Sequence, residues 1–335
     1  MALRMTTNLP FNSLNAALKA AGEPTRLRIL ALVAEADLTV TDFVEILRQS
    51  QPRISRHLRL LVEAGLVERF REGSWAFFRL KDREPGGIVP GLLAKLDPLD
   101  PILVRDRERL AAVRAARGAA AQAYFRRHAA EWDRIRKLHV ADEAVEDATR
   151  AALSSRPFRS LLDLGTGTGR MLELFGPEID RGLGLDMSLE MLALARARLD
   201  RAGLKHCTVR QGDIYDIGMP KDSFDVVIVH QVLHFLDDNA RAIVEAAHVL
   251  RPGGRLLVID FAPHDLEFLR DEHEHRRLGF APETVSQWME AAGLTMLMHR
   301  SLAPEPGSEG QIAVSLWLGQ DPRLTIADAP ARDVA

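Results

Sequence analysis

Among 335 residues there is one cysteine, Cys207. That count excludes an internal disulfide and a multi-thiolate metal site. No apolar run reaches the roughly 18 residues of a membrane span, so no membrane partner is expected. The opening MALRMTTNLPFNSLN lacks a continuous apolar core and a small-residue cleavage site. No export signal is therefore expected, and a cytoplasmic location is the default. No internal repeat is found.

The length suggests about two domains. The net charge of −3 conceals an asymmetry. Residues 1–150 hold 25 Lys and Arg against 20 Asp and Glu, whereas residues 151–335 hold 19 against 27. Within 48–83 alone there are nine basic and four acidic residues. A basic patch on an acidic chain points to a polyanion partner for that patch, or to a solvated basic surface.

Pro24 and TRLRILALVAEA read as a helix with proline in its first turn. Thr39 or Thr41 can cap the next helix, which runs to about Arg48. A polar turn, Gln49-Ser50-Gln51, precedes a helix opened by Pro52 and closed by Gly65. LVERFREGSWAFFRL reads as a hairpin about Glu72-Gly73-Ser74. Glycines and prolines crowd 85–101, leaving room for a short helix near Leu92–Leu96. Residues 102–137 are Ala- and Arg-rich and read as one long helix or two stacked ones. From 157 onward apolar strands alternate with helices, which predicts a parallel sheet covered on both faces.

In PRISRHLRLLVEAG the apolar Ile54, Leu58, Leu61 and Val62 form one stripe, with Ser55, Arg56 and Arg59 opposite and Arg53 at the edge. Arginines on the free face of a half-buried helix suit the edges and phosphates of a DNA major groove. The short turn before it fits helix-turn-helix geometry, and Arg69 and Arg71 would lie on a wing. The run SQPRISRHLRLLVEAGLVERFREGSWAFFRL resembles the winged helix of ArsR-type bacterial repressors, over roughly residues 13–97. The resemblance implies a homodimer on operator DNA, with Gln51, Arg53, Ser55, Arg56, Arg59 and Arg71 at the nucleic acid. His57 sits nearer the apolar stripe and reads as a packing residue. Metal-sensing relatives carry paired cysteines before the turn. Here that stretch is LTVTDFVEIL, so thiolate sensing is unavailable there.

In LLDLGTGTGR, residues 161–170, the glycines are Gly165, Gly167 and Gly169. The third glycine of a dinucleotide fingerprint would fall at Arg170, and no Gly-Lys-Ser/Thr follows, which excludes a P-loop. Asp186, 21 residues after Gly165, can accept from ribose hydroxyls. Asp213 can accept from an adenine amino group, with Met187 and Ile214 on either side of the ring. This constellation, with VLRPGGRLLVIDF at 249–261, resembles class I S-adenosylmethionine-dependent methyltransferases over about residues 121–318. The resemblance implies S-adenosylmethionine or S-adenosylhomocysteine as ligand, with Asp163 near its amino acid end. AYFRRHAAEWDRI, residues 123–135, is similar to the helix that covers the cofactor in relatives, which brings Tyr124 and Trp132 to it.

Where the fourth strand ends, His230 and His234 are candidate bases for a protic methyl acceptor. DFAPHDLEFLRDEHEHRRLGF, residues 260–280, crowds Asp260, His264, Glu267, His273 and His275 into a short segment. It reads as a solvated helix with some contacts to substrate; no metal is expected.

The expected fold is therefore two domains. Residues 1–100 form an α+β winged helix-turn-helix, 101–150 a helical linker with the cofactor-covering helix, 151–319 an α/β Rossmann-like methyltransferase sheet with helices on both faces, and 320–335 a disordered tail. The expected function is a DNA-binding transcription regulator whose back half binds the sulfonium nucleoside or its product, with methionine and methyl-cycle genes as targets. The alternative is an active methyltransferase on a small molecule, with the winged helix serving dimerisation or autoregulation.

Overall fold

The computed structural model describes residues 9–72, 75–81, 85–128, 142–303 and 312–323. The chain divides into two compact units, Met1–Ala119 and Ala120–Ala335.

The first unit begins with α1 (Phe11–Ala21) and α2 (Pro24–Val33), then β1 (Leu38–Thr39), α3 (Val40–Leu47) and α4 (Gln51–Glu63). The hairpin of β2 (Val67–Glu72) and β3 (Trp75–Leu80) follows, then α5 (Val89–Leu93) and the start of α6 (Pro101–His128). Each boundary has a local cause. Pro24 occupies the first turn of α2, and the Glu23 carboxylate accepts from Arg26 N. At α3 the Thr39 hydroxyl and the Asp42 carboxylate cap each other's backbone N–H in a capping box. Thr39, not Thr41, is thus the cap. After α4 the chain turns through Gly65 at φ +70°, the left-handed conformation that favours glycine. Ile54, Leu58 and Leu61 bury the inner stripe of α4 against Ile29, Leu30, Phe43 and Ile46. Arg28 forms a two-pronged pair with the buried Asp106 at 2.6 Å on both contacts, which fixes α2 to α6.

In the second unit the elements after α6 are α7 (Asp142–Leu153), β4 (Ser160–Leu164), α8 (Arg170–Phe175), β5 (Arg181–Asp186), α9 (Leu189–Arg201) and β6 (Cys207–Gln211). They continue as β7 (Phe224–His230), α10 (Asn239–His248), β8 (Leu250–Phe261), α11 (Phe268–His273), α12 (Pro282–Ala291), β9 (Thr295–Leu302) and β10 (Val314–Gln320). The sheet order is β6-β5-β4-β7-β8-β10-β9. β4 to β8 pair in parallel, whereas β10 runs antiparallel to both β8 and β9. Alternate residues of the central strands enter two separate apolar layers. Leu161, Val226, Ile228, Leu257 and Ile259 face one layer; Leu162, Val227, Val229, Leu256 and Val258 face the other. A strand buried on both sides shows no polar alternation, which is why these runs are continuously apolar. The strand order reverses between β4 and β7, and a ligand crevice is expected outside the carboxyl ends of the strands there.

Several expectations need correction. Gln51 opens α4 and does not belong to the turn before it. The short helix after the wing is Val89–Leu93, about three residues ahead of its expected place. The sheet is not wholly parallel, and β9 was absent from the sequence reading, as was α1. The tail does not begin at 320. Gln320 closes β10, Asp321 N donates to Gly254 O at 2.9 Å, and Arg323 donates to Leu250 O and pairs with Asp222. Residues 324–335 lie outside the described residues.

The capping box gives a direct test. Thr39→Ala is expected to lower stability by about 1 kcal/mol. In urea unfolding of the full chain, the first transition should shift its midpoint with its slope unchanged; an unshifted midpoint would show that the cap contributes nothing.

Candidate functional site

The glycine turn lies between β4 and α8, and Gly165, Gly167 and Gly169 have φ of +69°, +52° and +81°. At Gly165 an added Cβ would come within 2.3 Å of Val232 Cγ2, so both backbone and packing demand glycine there. The turn is held by the next strand. Gly165 N and Thr166 N both donate to Leu185 O, at 2.8 and 2.9 Å. Gly167 N donates to Asp186 Oδ2 and Ser188 N to Asp186 Oδ1, each at 2.9 Å. Burial pushes the Asp186 carboxyl above its ordinary value, and the N–H groups of Ser188, Gly167 and Met187 oppose that shift. A carboxylate has four lone-pair directions, so Asp186 keeps acceptor capacity at the mouth of the turn.

Asp163 is buried one strand away and accepts from Thr166 Oγ1 at 2.6 Å. Beyond the tip of β6, Asp213 accepts from Tyr215 N at 2.9 Å. Ile214 is buried, whereas Met187, beside the tip of β5, is 46% exposed. Gln211 Nε2 donates to Met187 O at 3.0 Å and ties the two strand tips together. Asp163, the glycines, Asp186 with Met187, and Asp213 with Ile214 are thus brought to one edge of the sheet. Tyr124 is on α6, but its side chain lies outside the described residues, as does Trp132. Arg170 accounts for the missing third glycine in another way. Its guanidinium clasps Glu146 of α7 at 2.6 and 2.7 Å and reaches Glu173 at 2.6 Å, and these carboxylates raise its pKa.

At the end of β7, His230 pairs with Ile259 of β8. The next residue, Gln231, is left-handed at φ +54°, and its N–H donates to Ile259 O. That kink carries the chain into the 3-10 turn Leu233–Phe235. His234 is 2% exposed and its Nδ1 lies 2.7 Å from the wholly buried Asp260 Oδ1. With Nδ1–H donating, the Nε2 lone pair is left free of that bond. The imidazole of His275 lies 4.2 Å from that of His234, tilted by 34°, and Phe235 and Phe261 complete the packing. Asp260 Oδ2 and His264 Nε2 are buried without a hydrogen-bond partner among the described residues. Residues 260–280 therefore do not form a solvated helix. α11 covers only Phe268–His273, and Asp260, Arg270, His275 and Arg277 are buried. Backbone bonds from Arg276 N and Arg277 N to His234 O fold the segment over the end of β7. The missed residue here is Asp260 as partner of His234; its place at the end of an apolar strand was the available signal. Among the described residues no group of three or more His, Cys, Asp or Glu could hold a metal ion.

On the first unit, Gln51, Arg53, Ser55, Arg56 and Arg59 are all exposed along one side of α4, and Arg69 and Arg71 are exposed on β2. Arg59 makes an open 3.8 Å pair with Glu63 of its own helix. His57 points the other way: it is largely buried, 3.5 Å from the Glu23 that caps α2, and burial lowers its pKa.

Comparison with known proteins matches residues 23–69 to the family described as "Bacterial regulatory protein, arsR family" and residues 162–258 to "Methyltransferase domain". An HTH-type transcriptional regulator of Methanocaldococcus jannaschii is 45% identical over 72 residues, 21% of this chain and 81% of that protein. The methyltransferase YcgJ of Bacillus subtilis is 28% identical over 152 residues, 42% of this chain. Among solved structures, one chain from the Haloferax volcanii complex of the Trm112 methyltransferase activator with a methyltransferase aligns with a TM-score of 0.51 at 23% identity. It covers 61% of this chain and 99% of its own, and it shows the fold of the second unit. The matched segment spans 58% of YcgJ's length.

His264 supplies a test of the packed imidazole cluster. Burial, then the charges of His234 and Arg270, push its pKa down to about 4. A depressed histidine contributes stability that is complete above the ordinary value near 6.5 and is lost as pH falls toward the folded value. His264→Gln is expected to flatten the loss of stability between those limits by roughly 2 kcal/mol. Thermal melts of both proteins across that window measure it; parallel pH profiles would show a solvated His264.

Proposed function

We propose that this chain, which belongs to the arsR family of bacterial regulatory proteins in its first unit and to the S-adenosylmethionine-dependent methyltransferases in its second, is a cytoplasmic, homodimeric transcription regulator. Its second unit binds S-adenosylmethionine or S-adenosylhomocysteine and reports on it. The observation that carries this reading is the conjunction of an arginine-bearing free face on α4 with the Asp186-closed glycine turn. The first is a surface for a polyanion; the second is a cradle for an adenosyl group.

In this reading the Asp186 carboxylate accepts both ribose hydroxyls, Asp213 and Ile214 meet the adenine, Met187 covers it, and Asp163 lies toward the amino acid end. The exposed Arg53, Arg56 and Arg59 read the major groove from α4, with Gln51 and Ser55 beside them, while Arg71 lies on the flanking phosphates. A ligand that changes operator affinity tenfold requires a bias of about 1.4 kcal/mol, and bound operator shifts ligand affinity by the same factor. Genes of the methionine and methyl cycle are the natural targets of such a sensor.

One observation favours a second reading, turnover on a small methyl acceptor. Asp260 holds the His234 imidazole with Nδ1 as donor, the arrangement that leaves Nε2 as a base. A buried carboxylate oxygen and a buried imidazole nitrogen without partners cost about 1–3 kcal/mol each. Asp260 Oδ2 and His264 Nε2 fit that description at the end of β8, beside which an acceptor would lie. The cofactor would supply the activated methyl group. The residues of this chain would orient the acceptor, exclude water and take its proton at His234 Nε2.

Operator binding of the full chain with and without each nucleoside tests the first reading. Arg56→Ala is expected to weaken operator binding by roughly 1–3 kcal/mol and leave nucleoside binding intact; Asp186→Ala should do the reverse. Operator affinity indifferent to both nucleosides would remove the sensing function. Should turnover be found on any metabolite, His234→Ala is expected to slow it about 100-fold or more, and an unaffected rate would remove His234 as base.

A further inference from the structure

The amino-terminal ends of the parallel strands, on the order of 20 Å from the glycine turn by strand rise, carry a second concavity. A cavity of about 230 Å³ lies between the segment after α7 and the turn that starts β8. Its walls hold Arg156, Arg159, Arg251 and Arg255, and a single carboxylate, Asp225. Asp225 is heavily engaged. Its Oδ2 accepts from Arg159 N, Ser160 N and Ser160 Oγ at 3.0, 2.9 and 2.9 Å, and its Oδ1 from Arg251 Nη1 at 3.0 Å. It neutralises one guanidinium.

The other charges are left over. Arg159 reaches Asp180 at 3.2 Å in a fully open pair, which contributes little. Arg255 is 3% exposed and donates to the carbonyls of Leu153 and Arg156, at 3.0 and 2.6 Å. Those carbonyls take two of its five N–H donors and carry no formal charge. Burial and the adjacent Arg156 lower its pKa, the direction expected of a cation held beside another. Arg156 pairs with no carboxylate among the described residues. Its Nη1 lies 3.0 Å from where a Cβ on Gly253 would stand, over the Arg251–Arg255 turn.

Buried charges are ordinarily paired, and guanidinium forks match phosphate oxygens two at a time. We propose that this cavity is a binding site for the pyrophosphate group of a small molecule, a class that includes inorganic pyrophosphate and nucleoside polyphosphates. A half-open concavity of this volume, with Arg255 buried in its wall and the exposed Arg156, Arg159 and Arg251 around it, suits a compact anion of several charges. The site is independent of the adenosyl cradle and of the proposed sensing.

Calorimetric titration of the full chain with inorganic pyrophosphate at low salt tests it. One saturable site per chain is expected, at least tenfold tighter than orthophosphate. Arg156→Gln and Arg251→Gln should each weaken it tenfold or more, and Asp186→Ala should leave it unchanged. No saturation by about 10 mM, or full affinity in both arginine variants, overturns the proposal. So does a result in which these two substitutions weaken duplex DNA binding and leave pyrophosphate binding intact, since the surface would then belong to nucleic acid.

Discussion

The carboxylate of Asp186 is the contact on which the second unit's site depends. It takes one amide N–H from the glycine turn and one from the start of α9, so it joins the carboxyl ends of β4 and β5 into one rim. The turn can approach that carboxylate only because its glycines adopt positive φ and because Gly165 leaves room for Val232. Folding raises the free energy of the charge through burial, and donors at its open lone pairs would recover part of it. A sugar diol is such a donor, and it belongs to the nucleoside that this fold family uses.

The first unit solves a different problem with similar economy. α4 must be buried on one side and free on the other. Its inner residues recur at helical spacing, and His57, which interrupts the arginines, turns inward to the cap of α2. Among the described residues the free side keeps its arginines unspent apart from one open pair with Glu63. A helix with this division presents charge without surrendering it to the protein's own carboxylates.

Much of this was legible because it rests on local rules. Short continuous apolar runs marked the central strands, Pro24 and Gly65 marked helix ends, and the alternate glycines marked the turn. What escaped depends on distance along the chain or on weak patterning. β9 is an edge strand with much of its length exposed, and TMLMHRSL carries no strong apolar alternation. α1 packs through alanines, which announce little. The partnership of His234 with Asp260 spans 26 residues and the clasp of Arg170 on Glu146 spans 24. The segment 260–280 looked solvated because its composition is charged, yet its backbone folds onto His234 O and buries Asp260, Arg270, His275 and Arg277.

The two units have separable chemistries, and the claim that unites them is that an adenosyl group enters the rim made by Asp186. The most direct measurement is calorimetry of S-adenosylhomocysteine against the full chain. One saturable site per chain is expected, with heat that disappears when the Asp186 carboxylate is removed. The absence of any binding heat at millimolar nucleoside would contradict the account and leave the second unit a fold without that ligand.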